Sequence, residues 1–181
     1  MNFKIGRSTA GHLKQIHDDL DFAFRKALKL YSTVDMGIHS SARTLAEQKK
    51  LKATGKSQTL RSRHIVVTPV NPPMYPRANS KNKDGFDSPV SHAIDVLAYV
   101  NGKSTWKAEH YYAFAEAMRL VAVKHDIAIR WGGCWKDLRK VTSIHSAVEE
   151  YIASCKKRGK RPFLDIGHFE LHILAYPRKE K

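Results

Sequence analysis

The apolar positions of the chain switch between two periods. Leu13, Ile16, Leu20, Phe24, Leu28 and Tyr31 recur at spacings of three and four, which predicts one amphipathic helix over 8–31 with Ser8 as its N-cap. Residues 34–38 read as a short strand and 42–53 as a second helix, with Gly55 as its C-terminal stop. Further on, 92–98 reads as a strand, Asn101-Gly102 as a turn, and 105–125 as a helix with Phe114, Met118, Val121 and His125 on one side. Residues 127–131 form another strand before Gly132-Gly133. The stretch 143–156 is helical through Ile144, Val148, Tyr151, Ile152 and Cys155, and 167–174 is the last strand. Short strands mixed with helices, without internal repeats, predict an α+β fold in which a small antiparallel sheet packs against several helices.

One region breaks the pattern. Residues 65–90 hold five of the seven prolines, together with the turn signals Pro72-Pro73, Asn82 and Asp84-Gly85. This reads as a loop insertion in a single domain spanning 1–181, and a loop of that length is often functional. Placed beside an active site, it would cover the groove or alter its specificity.

Composition narrows the classes. The 181 residues contain no apolar run approaching the ~20 needed to span a bilayer, and the start has no apolar leader, so a secretory signal peptide is not expected. Two cysteines, Cys134 and Cys155, build neither a disulfide framework nor a four-cysteine zinc site, and a structural role for Cys134 is favoured over a nucleophilic one. Charge is the unusual quantity: 32 Lys+Arg against 17 Asp+Glu give +15. Such a field suits a polyanionic partner, whether nucleic acid, an anionic membrane surface or a cell wall. Ten histidines supply candidate metal ligands and acid–base groups.

The last strand concentrates chemistry. In HFELHIL, His168, Glu170 and His172 alternate with Phe169, Leu171 and Ile173, so the polar set faces away from a core that takes the apolar set. Asp165 precedes His168 by three residues, a D-x-x-H spacing that suits metal-dependent hydrolysis, with the imidazole as ligand and the carboxylate as proton acceptor. Asp95 is the single charge in the apolar strand HAIDVLA and needs a partner there. His64, flanked by Arg61 and Arg63, enters a β-branched run. Motifs such as H-E-x-x-H, C-x-x-C, G-x-S-x-G, a P-loop and G-x-G-x-x-G are absent from the sequence.

The segments SARTLAEQKKL, SRH, AIDVLAYVNGK, IRWGGCW and DIGHFEL, in that order, resemble the D-alanyl-D-alanine peptidase-like zinc metallopeptidases. Among these the order most resembles the bacteriophage endolysins that cleave the L-alanyl–D-glutamate bond of peptidoglycan. The resemblance covers roughly 36–64 and 91–173. It implies a sheet that carries one zinc ion per chain, held by His64, Asp95 and His168. It also implies Asp165 as the catalytic carboxylate and Arg43 as the arginine that contacts substrate and stabilises negative charge at the scissile carbonyl. Gln48 and Ser62 complete the substrate-binding motifs, and Glu170, with His172, would stand behind a ligand or face the substrate.

The sequence departs from the family pattern between the first two ligands. His64 and Asp95 lie 31 residues apart with the proline-rich loop between them, and Ser91 stands where the family has a glycine. His92, three residues from Asp95, competes with His64, but strand alternation turns it to the opposite face. The implied function is a phage endolysin made in the host cytoplasm and acting on the cell wall after release. Its partners would be peptidoglycan and, through its basic charge, an anionic wall or membrane surface; a monomer is expected and a nucleic-acid partner is not. The alternatives are a D-alanyl-D-alanine carboxypeptidase of the same family and a basic nucleic-acid-binding protein.

Overall fold

The structure is a computed structural model, and it describes residues 3–68, 70–71, 73–76 and 89–177. Among the described residues, five α-helices accompany a six-stranded antiparallel sheet, in line with the α+β expectation. The strands are β1 (Asp35–Ser40), β2 (Ala93–Val100), β3 (Lys103–Thr105), β4 (Ile129–Trp131), β5 (Lys136–Asp137) and β6 (His168–Leu171). Their spatial order is β1-β2-β6-β4-β5, and β3 pairs with the far end of β2. Asn101 and Gly102 both take positive φ, 51° and 74°, which is the tight hairpin turn that the Asn-Gly pair favours.

The N-terminal helix is interrupted. Instead of one helix over 8–31 there are α1 (Arg7–Leu13), α2 (Asp18–Lys26) and a π-helical end, Ala27–Tyr31. His17 restarts the helix as an N-cap whose Nδ1 accepts from Asp19 N at 3.2 Å, and Asp18, Asp19 and Asp21 favour the positive end of the new helix dipole. Burial gave no hint of the break, because Leu13, Ile16, Leu20 and Phe24 are all fully buried across it. Ser8 does not cap α1; Gly6 stands at that position.

The other helices lie close to expectation: α3 (Leu45–Ala53), α4 (Ala108–Lys124) and α5 (Ile144–Lys157). Thr44 opens α3 with a reciprocal capping box, its hydroxyl accepting from Glu47 N while the Glu47 carboxylate accepts from Thr44 N at 2.7 Å. Among the described residues no helix is long and apolar enough to cross a membrane.

The sheet has one apolar and one polar face over its centre. Ile94 pairs with Phe169, and Phe169 with Trp131, and all three are fully buried beneath α2 and α4, where Phe114 meets both Phe24 and Phe169 edge-on. The opposite face carries Asp95 across from His168, and Glu170 across from Arg130. The last strand ends earlier than its alternation suggested. His172 N turns to the Ala128 carbonyl, and Ile173, expected in the core, is 53% exposed.

The proline-rich excursion leaves and returns through a closed base, where Val67 and Val90 exchange both backbone hydrogen bonds. Tyr75 stacks on Phe22 at 4.1 Å and meets His125 edge-on, while the Asp19 carboxylate accepts from Met74 N and Tyr75 N. The part of the loop around Asn82 and Asp84-Gly85 lies outside the described residues.

Candidate active site

The polar face of β2 and β6 meets two loop segments. Residues 40–43 leave β1 past a register shift between Ile38 and Ser40, which brings Ser40 opposite Asp95. Residues 62–65 run beside them, joined by Arg43 N to His64 O at 2.9 Å and Val66 N to Arg43 O at 3.2 Å. This pairing carries His64 to the sheet although it lies 31 residues from Asp95 in sequence.

There His64, Asp95 and His168 converge, their ligand atoms all within 4.8 Å of one another, a group that could hold a metal ion. His64 Nε2 lies 3.1 Å and His168 Nδ1 3.0 Å from Asp95 Oδ1, and the two nitrogens are 3.3 Å apart. Each imidazole is oriented from behind. His64 Nδ1 donates to the Ser41 carbonyl at 2.5 Å, and His168 Nε2 donates to Glu170 at 3.0 Å. Glu170 also accepts from Arg130 Nε at 2.6 Å. His92 lies just before β2 rather than in it, and its Nδ1 accepts from Arg63 at 2.9 Å.

Electrostatics follow from this crowding. Burial pushes Asp95 toward the neutral form, but His168 and His64 beside it outweigh burial and hold the carboxyl well below its usual range. For His168 burial favours the neutral ring, yet Asp95 and Glu170 raise it to about 9. Asp165 moves the other way. Burial raises its pKa, the His168 charge opposes the shift and the Asp95 charge adds to it.

Asp165 reaches the site through a close backbone approach. Its N–H donates to Gly132 O at 3.0 Å, and Trp131 Nε1 ties down Ile166 O at 2.9 Å. A Cβ on Gly132 would lie 2.3 Å from the Asp165 carbonyl oxygen, so only glycine fits there. The turn in IRWGGCW is therefore what lets the carboxylate stand beside the histidines.

Arg43 Nη2 bonds Asp95 Oδ2 at 2.8 Å and Ser40 Oγ at 3.0 Å, and its Nη1 lies 3.4 Å from Gln48 Oε1. Gln48 is fully buried behind the groove wall, where Nε2 donates to Ser57 Oγ and Thr59 O. Ser62 lines the groove and its hydroxyl accepts from His64 N at 3.3 Å. His172 is not among the groove-lining residues; its ring accepts from Leu174 N.

All of this opens into a cavity of about 460 Å³. Its walls include Trp106, Trp135 and Phe163, to which the sequence analysis gave no role. Trp135 stacks on Phe163, lies under Arg130 and sits 5.6 Å from the His168 ring. Trp135 lay inside a quoted motif, but nothing local in the sequence set it apart from a core tryptophan. None of the described residues of 65–90 lines this cavity, so that part of the loop does not cover the groove.

No curated protein matches the chain. A solved structure of similar shape is the Serratia marcescens L-Ala D-Glu endopeptidase ChiX, at 26% identity and a TM-score of 0.61, covering 93% of this chain and 90% of that one. The family model for phage L-alanyl-D-glutamate peptidases matches residues 1–172. A match along almost the full length places the polar sheet face in a peptidase lineage, and the chain belongs to the phage L-alanyl-D-glutamate peptidase family.

Proposed function

We propose that the chain is a zinc-dependent endolysin of one domain, 1–181, which hydrolyses the L-alanyl–D-glutamate bond of peptidoglycan stem peptides. The observation that carries the zinc reading is the convergence of three lone-pair donors. The Ser41 carbonyl can only accept, so His64 keeps its proton on Nδ1 and turns a free Nε2 inward. Glu170 does the same for His168, leaving Nδ1 inward. Donor separations of 3.0, 3.1 and 3.3 Å fit the edges of a tetrahedron with bonds of ~2.0–2.1 Å, and two imidazoles with one carboxylate leave the fourth position open. Bound by these residues, zinc would supply Lewis acidity, activating water near neutral pH and polarising the scissile carbonyl.

The remaining steps fall to the chain. Asp165, its pKa raised, takes a proton from the attacking water and returns it to the leaving amine. Arg43, on the groove wall, stabilises the negative charge that develops on the carbonyl oxygen. Glu170 holds the His168 ring in its inward tautomer. The protein acts as a monomer, is made in the host cytoplasm and reaches the wall at lysis. Its +15 charge holds it to anionic wall or membrane, and nucleic acid is not its partner.

Mass spectrometry of Gram-negative peptidoglycan incubated with the protein, with and without a zinc chelator, tests this reading. The expected result is chelator-sensitive release of peptides that begin at D-glutamate. Loss of only terminal D-alanine would make the protein a carboxypeptidase instead, and absence of both cleavage and zinc would overturn the proposal.

A further inference from the structure

Residues 56–62 form one wall of the cavity and bring two exposed cations to it, Lys56 and Arg61. The other arginines of the cavity are engaged: Arg43 by Asp95, Arg130 by Glu170, and Arg63 by the carbonyls of Leu171 and Tyr176. Among the described residues Lys56 and Arg61 form no ion pair with a carboxylate.

The segment that presents them is braced. Gln48, buried beneath it, donates to Ser57 Oγ at 2.7 Å and Thr59 O at 2.8 Å. Ser57 Oγ donates on to Thr59 O at 3.2 Å, and Arg61 N donates to Thr59 Oγ1 at 2.9 Å. Lys56 N and Ser57 N both return to Leu51 O at the end of α3. The other end of Gln48 faces Arg43, which holds Asp95. A polar chain thus runs from the centre of the site to the backbone that carries the two cations. Bracing of this kind lowers the ordering cost of binding a ligand.

Unpaired cations on a braced wall suit a ligand that brings its own carboxylates. This inference rests on the peptidoglycan reading. In a stem peptide the D-glutamate is linked onward through its γ-carboxyl, so a free α-carboxylate lies beside the scissile amide and further carboxylates follow. We propose that Lys56 and Arg61, on the segment braced by Gln48, form a carboxylate-binding subsite that selects acidic stem peptides over amidated ones.

The test uses two soluble stem peptides of the same sequence, one with free carboxylates and one with carboxamides, cleaved by the zinc-loaded full chain. The wild type should show a KM about tenfold lower for the acidic peptide. Arg61→Ala and Lys56→Ala should each raise that KM about three- to tenfold, the scale of a charge-assisted hydrogen bond partly screened by solvent, with kcat held within about twofold. Neither should move the KM of the amidated peptide, and Arg61→Lys should restore most of the loss. Lys124→Ala, which removes the same charge from an exposed position outside the cavity, should change nothing. Equal KM values for the two peptides, equal shifts on both, or the same shift from Lys124→Ala would overturn the subsite. Cleavage of neither peptide by the wild type would instead overturn the peptidase reading beneath it.

Discussion

Two clusters of histidine and carboxylate share neighbouring segments of the chain, with Arg63 beside His64 and His92 near Asp95, and they are built to opposite rules. The first is His64, Asp95 and His168, whose ligand atoms point at one another. The second is His17, His92, Asp19, Tyr176 and Arg63, all buried. In the second, donors meet acceptors. Arg63 Nη2 donates to His92 and to the carbonyls of Leu171 and Tyr176, Tyr176 donates its hydroxyl to Asp19 at 2.9 Å, and Asp19 accepts from Met74 N and Tyr75 N. Burial raises the Tyr176 pKa, and the Asp19 charge adds to it. That cluster ties α2, the proline-rich loop and the C-terminal segment together. The first cluster has two imidazoles and a carboxylate converging on an open cavity, where they could hold a metal ion. Residue type does not separate a structural knot from a metal site; the direction of the lone pairs does.

The contrast breaks most sharply at Asp165. Asp165→Asn should lower peptidase activity about 10³-fold, within the range for loss of a general acid–base group, while zinc content measured by atomic absorption stays near one per chain. Retained lytic activity would remove Asp165 from the mechanism. The histidines on either side of the divide sharpen it further. His64→Ala should lose bound zinc together with activity, whereas His92→Ala should keep stoichiometric zinc and lose only stability. Zinc loss from His92→Ala would merge the two clusters into one.

Asp19→Ala should cost about 3 kcal/mol in urea unfolding, because it strands two backbone donors and a buried tyrosine hydroxyl, and should leave zinc content unchanged. A smaller effect comes from pH. Burial pushes Asp137 up, but Arg139 outweighs it and holds the folded carboxyl below its unfolded value. Its stabilisation is therefore complete above the unfolded value of ~3.9 and is lost as pH falls from there toward the folded one. Arg139→Ala should flatten that part of the stability profile, as read by urea midpoints at stepped acidic pH. The smallest expected change is at the start of α3. Glu47→Ala should cost about 0.5–1 kcal/mol through the lost capping box, with activity intact, which would show that helix strength by itself does not set the site.

Much of this was legible in the chain. Period-two alternation in the last strand put His168 and Glu170 on one face, and Asp95 stood out as the lone charge of its strand, because side-chain direction in a strand is fixed by parity. The ordered motifs named the family. The break at His17 was not legible, because the apolar spacing runs through it and only the cap chemistry of His17 and three aspartates marks it. The exposure of Ile173 was hidden for a related reason: alternation cannot say where a strand stops hydrogen-bonding.

The sequence by itself determined which side chains could share a face and which residue types were available for hydrolysis, since both follow from local periodicity and composition. Tertiary structure alone decided that His64 meets Asp95, 31 positions away, that Gly132 admits Asp165, and that Gln48 stands behind the wall as a brace. Those facts depend on the approach of segments distant in the chain, and such approaches are fixed by the packing of the whole sheet and its loops, which no local pattern encodes.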